Sequence, residues 1–346
     1  MDYRQLGKTD IKVSEICLGT MTWGRQTSQA EAFEQMDYAT AQGVNFFDTA
    51  ELYPIPPEAE TQGATETIIG NWFKQTGKRG DVILGTKVTG RSSHTWFRKD
   101  GSPTEFTPAQ INEAIDESLR RLQTDYIDLY QLHWPDRPIN LFGGLGYQHG
   151  GEEINRIEDT LAVLQKLIEA GKVRQIGISN ETPWGIMKFL HFAETKNLPP
   201  IVSVQNPYNF LNRIYEIGGA EIYHREQIGL LAYSPLAGGY LTGKYQKGAI
   251  PEGSRKHMAR RMGRYETAGA EQAIDAYLAI AEKHGLNPAH MASRFVTTRD
   301  FVTSNIIGAT NLEQLKIALA ANELTLTDAL LAEIDEVHLR AANLCP

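Results

Sequence analysis

The run Val173-Arg-Gln-Ile-Gly-Ile-Ser179 is short and mostly apolar, and a helical pattern over 183–196 and a second β-rich run, Ile201-Val-Ser-Val-Gln205, follow it. The two strand starts lie 28 residues apart, room for one strand, one helix and two short loops. Two strands joined through a helix run parallel, because the crossover returns the chain to the same end of the sheet. Outward from this unit, similar runs occur at Ile16–Gly19, Val44–Thr49, Val82–Val88, Tyr126–His133, Leu230–Ser234 and Val302–Gly308. Several are nearly continuous apolar stretches, as strands covered on both faces should be. Helical patterns follow them at 29–42, 65–76, 108–122, 157–170, 212–225, 270–284 and 311–320. Within 108–122, Ile111, Ile115, Leu119 and Leu122 recur at helical spacing, while Asn112, Glu113, Asp116 and Arg120 fill the other face.

Eight strand–helix units in strict alternation predict a closed (β/α)8 TIM barrel. Such barrels take about 250 residues, so the surplus is expected in long loops after strands three, four and seven. The first two are Thr89–Thr107 and Trp134–Asn155, and loops of that length tend to carry function. Two further helices are expected at 288–299 and 327–341. Before the first strand, Tyr3–Leu6 and Ile11–Val13 flank Gly7-Lys8-Thr9-Asp10, which predicts a hairpin capping the barrel bottom. No low-complexity linker divides residues 1–346, so a single domain is expected.

Composition narrows the function. Hydrophobic residues make up 41% and charged residues 22% of 346, an ordinary globular balance that excludes a disordered chain. Lys and Arg number 34 against 42 Asp and Glu, a net charge of −8, which argues against nucleic acid or an anionic membrane as partner. Cys17 and Cys345 form neither a CxxC motif nor a disulfide framework. The start of the chain has no apolar h-region, and no apolar run approaches the ~20 residues of a membrane span. A cytoplasmic protein is expected.

In these barrels the active site lies at the C-terminal ends of the strands. Three strands place an ionisable residue there: Asp48 in Phe46-Phe47-Asp48-Thr49-Ala50, Lys87 in Gly85-Thr86-Lys87-Val88, and His133 in Leu132-His133-Trp134-Pro135. Tyr53 follows the first of them. Singly, Asp48 could cap a turn, His133 could be a satisfied core histidine and Tyr53 a loop aromatic. A lysine ending a buried strand needs a charge partner, however. Together, Asp48 and Lys87 form an ion pair in the barrel mouth, with the ammonium facing the Tyr53 hydroxyl. A charge about 4 Å away, at an effective dielectric near 20, contributes roughly 4 kcal/mol, or ~3 pKa units. That predicts a Tyr53 pKa drawn from ~10 toward neutrality, before desolvation opposes the shift, and a tyrosine so tuned is a usable general acid. His133 can orient a carbonyl oxygen by hydrogen bonding. This equipment protonates an alkoxide as it forms, and it requires a separate hydride carrier. Trp23, Trp96 and Trp134 lie in loops leaving strand C-termini, with Phe97, Phe142 and Tyr147 nearby, and they suggest an aromatic-walled substrate pocket.

The sequence resembles the aldo-keto reductases in Phe47-Asp48-Thr49-Ala50 leading to Tyr53, in Gly85-Thr86-Lys87-Val88 and in Leu132-His133-Trp134-Pro135. The likeness continues through Ile178-Ser179-Asn180, Gln205-Asn206-Pro207-Tyr208, Ala232-Tyr233-Ser234-Pro235-Leu236 and Ile307-Gly308-Ala309-Thr310, and so covers nearly the whole chain. Tyr53-Pro54-Ile55-Pro56-Pro57 followed by Glu60-Thr61-Gln62-Gly63 looks most like the bacterial Tas-like branch, related to potassium-channel β subunits. The resemblance implies an NADPH-dependent reductase of aldehydes or ketones. In it Tyr53 is the proton donor, Lys87 and Asp48 tune it, and His133 orients the carbonyl. It also implies that Ser179, Asn180 and Gln205 hold the carboxamide and that Tyr233 stacks under the nicotinamide. Ser234, Leu236 and Gly308 are implied as further cofactor contacts, and Arg255, Thr310 and Gln314 as partners of the adenosine 2′-phosphate. The chain departs from the pattern at Ala318, where relatives often carry Asn.

No GxGxxG follows a βα turn, which disfavours a Rossmann domain. Thr310 and Glu313 read as a capping box opening the last barrel helix, whose N-terminus can attract an anion. Residues 251–266 hold Arg255, Lys256, Arg260, Arg261 and Arg264 against Glu252 and Glu266, a local basic island that can hold phosphates, with a solvated loop as the plainer alternative. A glycosidase needs two carboxylates across the pocket, where this chain has His133 and Tyr233-Ser234, and no HExxH or HxH metal pair is present, so no metal is expected. The alternative function is an NADPH-sensing or partner-docking protein on a reductase scaffold.

Overall fold

The structure, a computed structural model, describes residues 1–144, 146–151, 155–259 and 262–346. Strands β1 (Tyr3–Gln5) and β2 (Lys12–Ser14) pair antiparallel as a hairpin. Eight parallel strands then close a barrel: β3 (Ile16–Gly19), β4 (Phe46–Asp48), β5 (Ile83–Val88), β6 (Ile127–Leu132), β7 (Val173–Ser179), β8 (Ile201–Pro207), β9 (Gly229–Tyr233) and β10 (Val302–Gly308). They neighbour one another in chain order, and β10 returns to pair with β3. This is the (β/α)8 barrel expected from the alternation.

Helices α1 (Gln29–Ala41), α2 (Ala64–Thr76), α3 (Pro108–Leu122), α4 (Ile157–Glu169), α5 (Pro183–Lys196) and α6 (Tyr215–Glu226) cover the first six units. Beyond β9 lie α7 (Arg255–Ala259), α8 (Ala270–Lys283) and α9 (Pro288–Thr297), and beyond β10 lie α10 (Leu312–Ala320) and α11 (Asp328–Arg340). Helix starts follow capping chemistry. Ser28 and Glu31 form a capping box on α1, and Thr107 and Thr182 accept from the third amides of α3 and α5, each of which opens with proline. In α3, Ile111, Ile115 and Leu122 are buried, as the spacing requires.

Two of the three apolar clusters among the described residues build the body of the barrel. The larger lies between strands and helices and includes Phe47, Trp72, Tyr130, Val204 and Phe295. A smaller one fills the barrel interior with Cys17, Phe46, Leu129, Val202, Leu231 and Ile306, and Leu6 and Val13 of the hairpin plug it from below. The bottom is therefore sealed and the open mouth faces the strand C-termini. No helix of the described residues is long and apolar enough to cross a membrane.

Several boundaries differ from expectation. The second barrel strand is Phe46–Asp48 rather than Val44–Thr49, and the sixth helix begins at Tyr215 rather than at 212. Asn212 and Asn209 instead exchange backbone hydrogen bonds in a turn before α6. Thr310 is not the cap of α10. Asn311 takes that place, its side chain accepting from the Gln314 amide at 3.0 Å, and Glu313 pairs with Lys316 instead. The two candidates are adjacent, and the backbone enters the helix one residue later than the Thr-x-x-Glu spacing suggests.

Candidate active site

Strand parity builds the site, because residues two apart share a face of the sheet. Asp48 stands opposite Gly85 in the β4–β5 register, and Lys87 opposite Gln131 in β5–β6. The Lys87 side chain is fully buried, and its ammonium donates to Asp48 Oδ2 at 2.6 Å and to the Thr49 carbonyl at 2.7 Å. The other Asp48 oxygen accepts from Gln131 Nε2 at 3.1 Å and Gln205 Nε2 at 2.8 Å. The charge pair is thus both neutralised and hydrogen-bonded, the condition under which buried ions persist. The Lys87 ammonium stands 5.0 Å from the centroid of the Tyr53 ring, and the His133 ring meets Tyr53 edge-on at 5.7 Å.

The four expected residues Asp48, Tyr53, Lys87 and His133 therefore converge. Gln131 was missed, although it sits two before His133 in the apolar run and shares its parity. A second missed element is the Glu51–Arg98 pair, buried and bidentate at 2.9 Å for each bond. Glu51 also accepts from the Thr89 amide at 2.7 Å, and its own amide donates to the Lys87 carbonyl at 3.2 Å. It ties the segment carrying Tyr53 to the start of the loop after β5.

Electrostatics corrects one expectation. Burial raises the Tyr53 phenol above its ordinary value, and the opposing pull of Lys87 does not cancel it. The net direction is up rather than toward neutrality, because removing the phenolate from water outweighs one nearby cation. Burial alone would lower the Lys87 ammonium, but Asp48 and then Tyr53 outweigh it and the net shift is upward. Burial, and then Lys87, hold His133 well below its ordinary 6.5, so the imidazole is neutral at pH 7. Its Nδ1 is buried without a protein partner.

A cavity of about 920 Å³ opens over this cluster and is lined by Asp48, Tyr53, His133 and Trp134. That is at the upper end for a small-molecule site. Ser179, Asn180, Gln205, Tyr233, Ser234, Leu236, Arg255, Gly308, Thr310 and Gln314 all line it as well. Ser179 donates to the Gln205 carbonyl at 2.8 Å, and Asn180 donates to the His133 carbonyl at 2.8 Å while accepting from the Tyr233 hydroxyl at 2.6 Å. Ser234 has a φ of 59°, a conformation that non-glycine residues rarely hold away from constrained sites. The Thr310 hydroxyl donates to Gln314 Oε1 at 3.1 Å.

The aromatic wall is only partly as expected. Trp134 lines the cavity and contacts Phe142 edge-on at 6.0 Å. Trp23 does not; it is fully buried in the strand–helix core, where its carbonyl accepts from Thr65. Trp96 is 38% exposed and packs on His94, which does line the cavity. A loop indole cannot be assigned to pocket or core from sequence, because tertiary packing decides which way it turns. In the basic island, Lys256 is tied to Glu266 at 3.0 Å, and Arg255 and Arg264 line the cavity. Arg260 and Arg261 lie outside the described residues. Lys244, not singled out from sequence, lines the cavity too. Among the described residues no cluster of His, Cys, Asp or Glu is placed to hold a metal ion.

A model described as the Aldo/keto reductase family matches residues 15–339. The sequence is 47% identical over 341 residues to the protein named Protein tas of Escherichia coli, covering 98% of each chain. It is 33% identical over 341 residues to Uncharacterized oxidoreductase YrpG of Bacillus subtilis, covering 97% of this chain and 96% of the other. It is 29% identical over 349 residues to a probable voltage-gated potassium channel subunit beta of Arabidopsis thaliana, covering 97% and 96%.

Proposed function

Because this chain belongs to the aldo/keto reductase family, close to the bacterial Tas proteins and related to potassium-channel β subunits, we propose that it is an NADPH-dependent reductase of aldehydes or ketones with Tyr53 as proton donor. The observation that carries this reading is the buried Lys87–Asp48 pair beside the Tyr53 phenol, inside a cavity that also holds the unpartnered His133 Nδ1. NADPH, when bound, would supply a hydride for the carbonyl carbon. Everything else is done by the chain. His133, neutral, orients the carbonyl oxygen by hydrogen bonding. Tyr53 gives that oxygen its proton. Lys87 offsets the charge left on the phenolate, and Asp48, Gln131 and Gln205 hold Lys87 in place.

The cavity suits a dinucleotide in size and in its polar groups. Ser179, Asn180 and Gln205 would hold the carboxamide, and Tyr233 would lie against the nicotinamide. Ser234, Leu236 and Gly308 would line its path, and Arg255, Thr310 and Gln314 would meet the 2′-phosphate. Guanidinium suits a near-dianion because it bonds in a fork. NADPH is accordingly expected to bind more tightly than NADH. Arg255→Ala is expected to raise the Kd for NADPH about tenfold to a hundredfold while leaving NADH nearly unchanged. Added salt is expected to narrow the preference, since the loop is part-exposed. Fluorescence titration of both cofactors checks this, and equal Kd values in the wild-type protein would contradict it. The cluster is fully equipped for proton transfer, which favours turnover over a purely sensing role.

A further inference from the structure

One cation at the cavity mouth has no role in this scheme. Arg264 lines the cavity, and its Nε is buried without a hydrogen-bond partner. Its Nη1 makes a long hydrogen bond to the Tyr233 hydroxyl at 3.4 Å. The guanidinium also lies over the Phe142 ring at 5.7 Å. Among the described residues no carboxylate pairs with it. Four other sequestered arginines differ from it, whereas Arg299, whose Nε is also buried without a partner, lies over the Phe295 ring. Arg98, Arg121, Arg137 and Arg213 close on Glu51, Glu66, Glu181 and Glu216 respectively. The adjacent Tyr265 hydroxyl is buried beside the same guanidinium. A guanidinium withdrawn from water with open donors is costly until an anion meets it.

The position of Arg264 indicates which anion. Phe142 meets Trp134, Trp134 meets His133 at 5.0 Å, and His133 meets Tyr53. Arg264 thus ends an aromatic wall that begins at the proton donor. The Arg255 segment touches the loop after β3 through the Gln26–Gly253 hydrogen bond, and Arg255 lines the same cavity and acts electrostatically on Tyr53. Met21, Leu52 and Ile55 form an apolar part of the wall beside Tyr53.

Building on the carbonyl-reductase reading, we propose that Arg264 is a receptor for a carboxylate on the substrate, so that the preferred carbonyl compounds are aromatic aldehydes or ketones bearing an acid group. The ring lies along Trp134 and Phe142, the carbonyl reaches Tyr53 and His133, and the carboxylate takes the open edge of the guanidinium.

The test compares 3- and 4-carboxybenzaldehyde with their methyl esters. In the wild-type protein the acids are expected to have the higher kcat/KM. Arg264→Met keeps the stem against Phe142 and removes the charge, and it is expected to lower the acid-to-ester ratio about tenfold to a hundredfold. Arg264→Lys is expected to recover part of the ratio. An equal loss for acid and ester, or an unchanged ratio, overturns the proposal. So does a tenfold rise in the Kd for NADPH with the ratio unchanged, which would assign Arg264 to the cofactor phosphates. Calorimetric titration of 4-carboxybenzaldehyde into protein holding NADP+ reads binding without reduction. Binding that is lost in Arg264→Met, in a protein that never consumes NADPH, would uphold the carboxylate receptor and defeat the reductase reading. Aldehyde reduction with no acid preference would do the reverse.

Discussion

Tyr53→Phe is expected to bind NADPH as the wild type does and to lose carbonyl turnover by about a hundredfold to ten-thousandfold, the usual contribution of a positioned general acid. The substitution removes one hydroxyl and keeps the ring that packs edge-on against His133. Cofactor titration and NADPH consumption with an aromatic aldehyde check the two halves separately. Turnover within tenfold of wild type would show that another group supplies the proton. The pH dependence follows from the direction of the shift. With the phenol raised above its ordinary value, Tyr53 is protonated at neutral and moderately alkaline pH. Reduction should therefore lose its acid only above pH ~10, where the phenol ionises. His133, held well below 6.5, stays neutral there and acquires charge only in acid.

Lys87→Met is expected to lower both kcat and stability. It leaves the Asp48 carboxylate buried with only the Gln131 and Gln205 amides for company. Breaking a buried pair by removing one partner costs about 3–5 kcal/mol. The folded-state ammonium is raised above its ordinary 10.5. Its stabilisation is therefore fully present below pH 10.5 and is lost as pH rises through the higher folded value. The stability gap between wild type and variant should be constant at neutral pH and close only in strong alkali. Denaturant unfolding at several pH values measures it. In catalysis, loss of the cation leaves the phenolate opposed by burial and by the Asp48 carboxylate, so the alkaline limb of the kcat profile should move further upward. A variant with wild-type kcat and an unchanged profile would remove Lys87 from the mechanism.

Much of this site was legible because its members break local rules. An aspartate, a lysine and a histidine at the ends of apolar strands are conspicuous, and the 28-residue spacing of the bare unit places those ends at one face of a barrel. What escaped has a common physical origin. Glu51 and Arg98 are 47 residues apart, and nothing local marks either as half of a buried pair. Arg264 read as one of five cations of a basic loop able to hold phosphates, because its contact with Phe142 comes from a loop more than a hundred residues earlier. Trp23 read as a wall of the pocket, because the direction of a loop indole is set by what packs beneath it. The fall in the Tyr53 pKa was overestimated for a similar reason: Coulomb attraction from Lys87 could be reckoned from proximity, whereas the desolvation opposing it needs the full burial seen in the fold. At α10 the competing caps Thr310 and Asn311 are neighbours, and spacing to Glu313 selected the wrong one.

The central claim is that this cavity passes a hydride and a proton to a carbonyl group. It is tested most directly by mixing the NADPH-loaded wild-type protein with an aromatic aldehyde and measuring cofactor oxidation and alcohol formation in one turnover. The account predicts one alcohol for each NADPH oxidised, with both abolished together in Tyr53→Phe. Cofactor that stays reduced and bound while the aldehyde is recovered intact would contradict it and leave a sensor on a reductase scaffold.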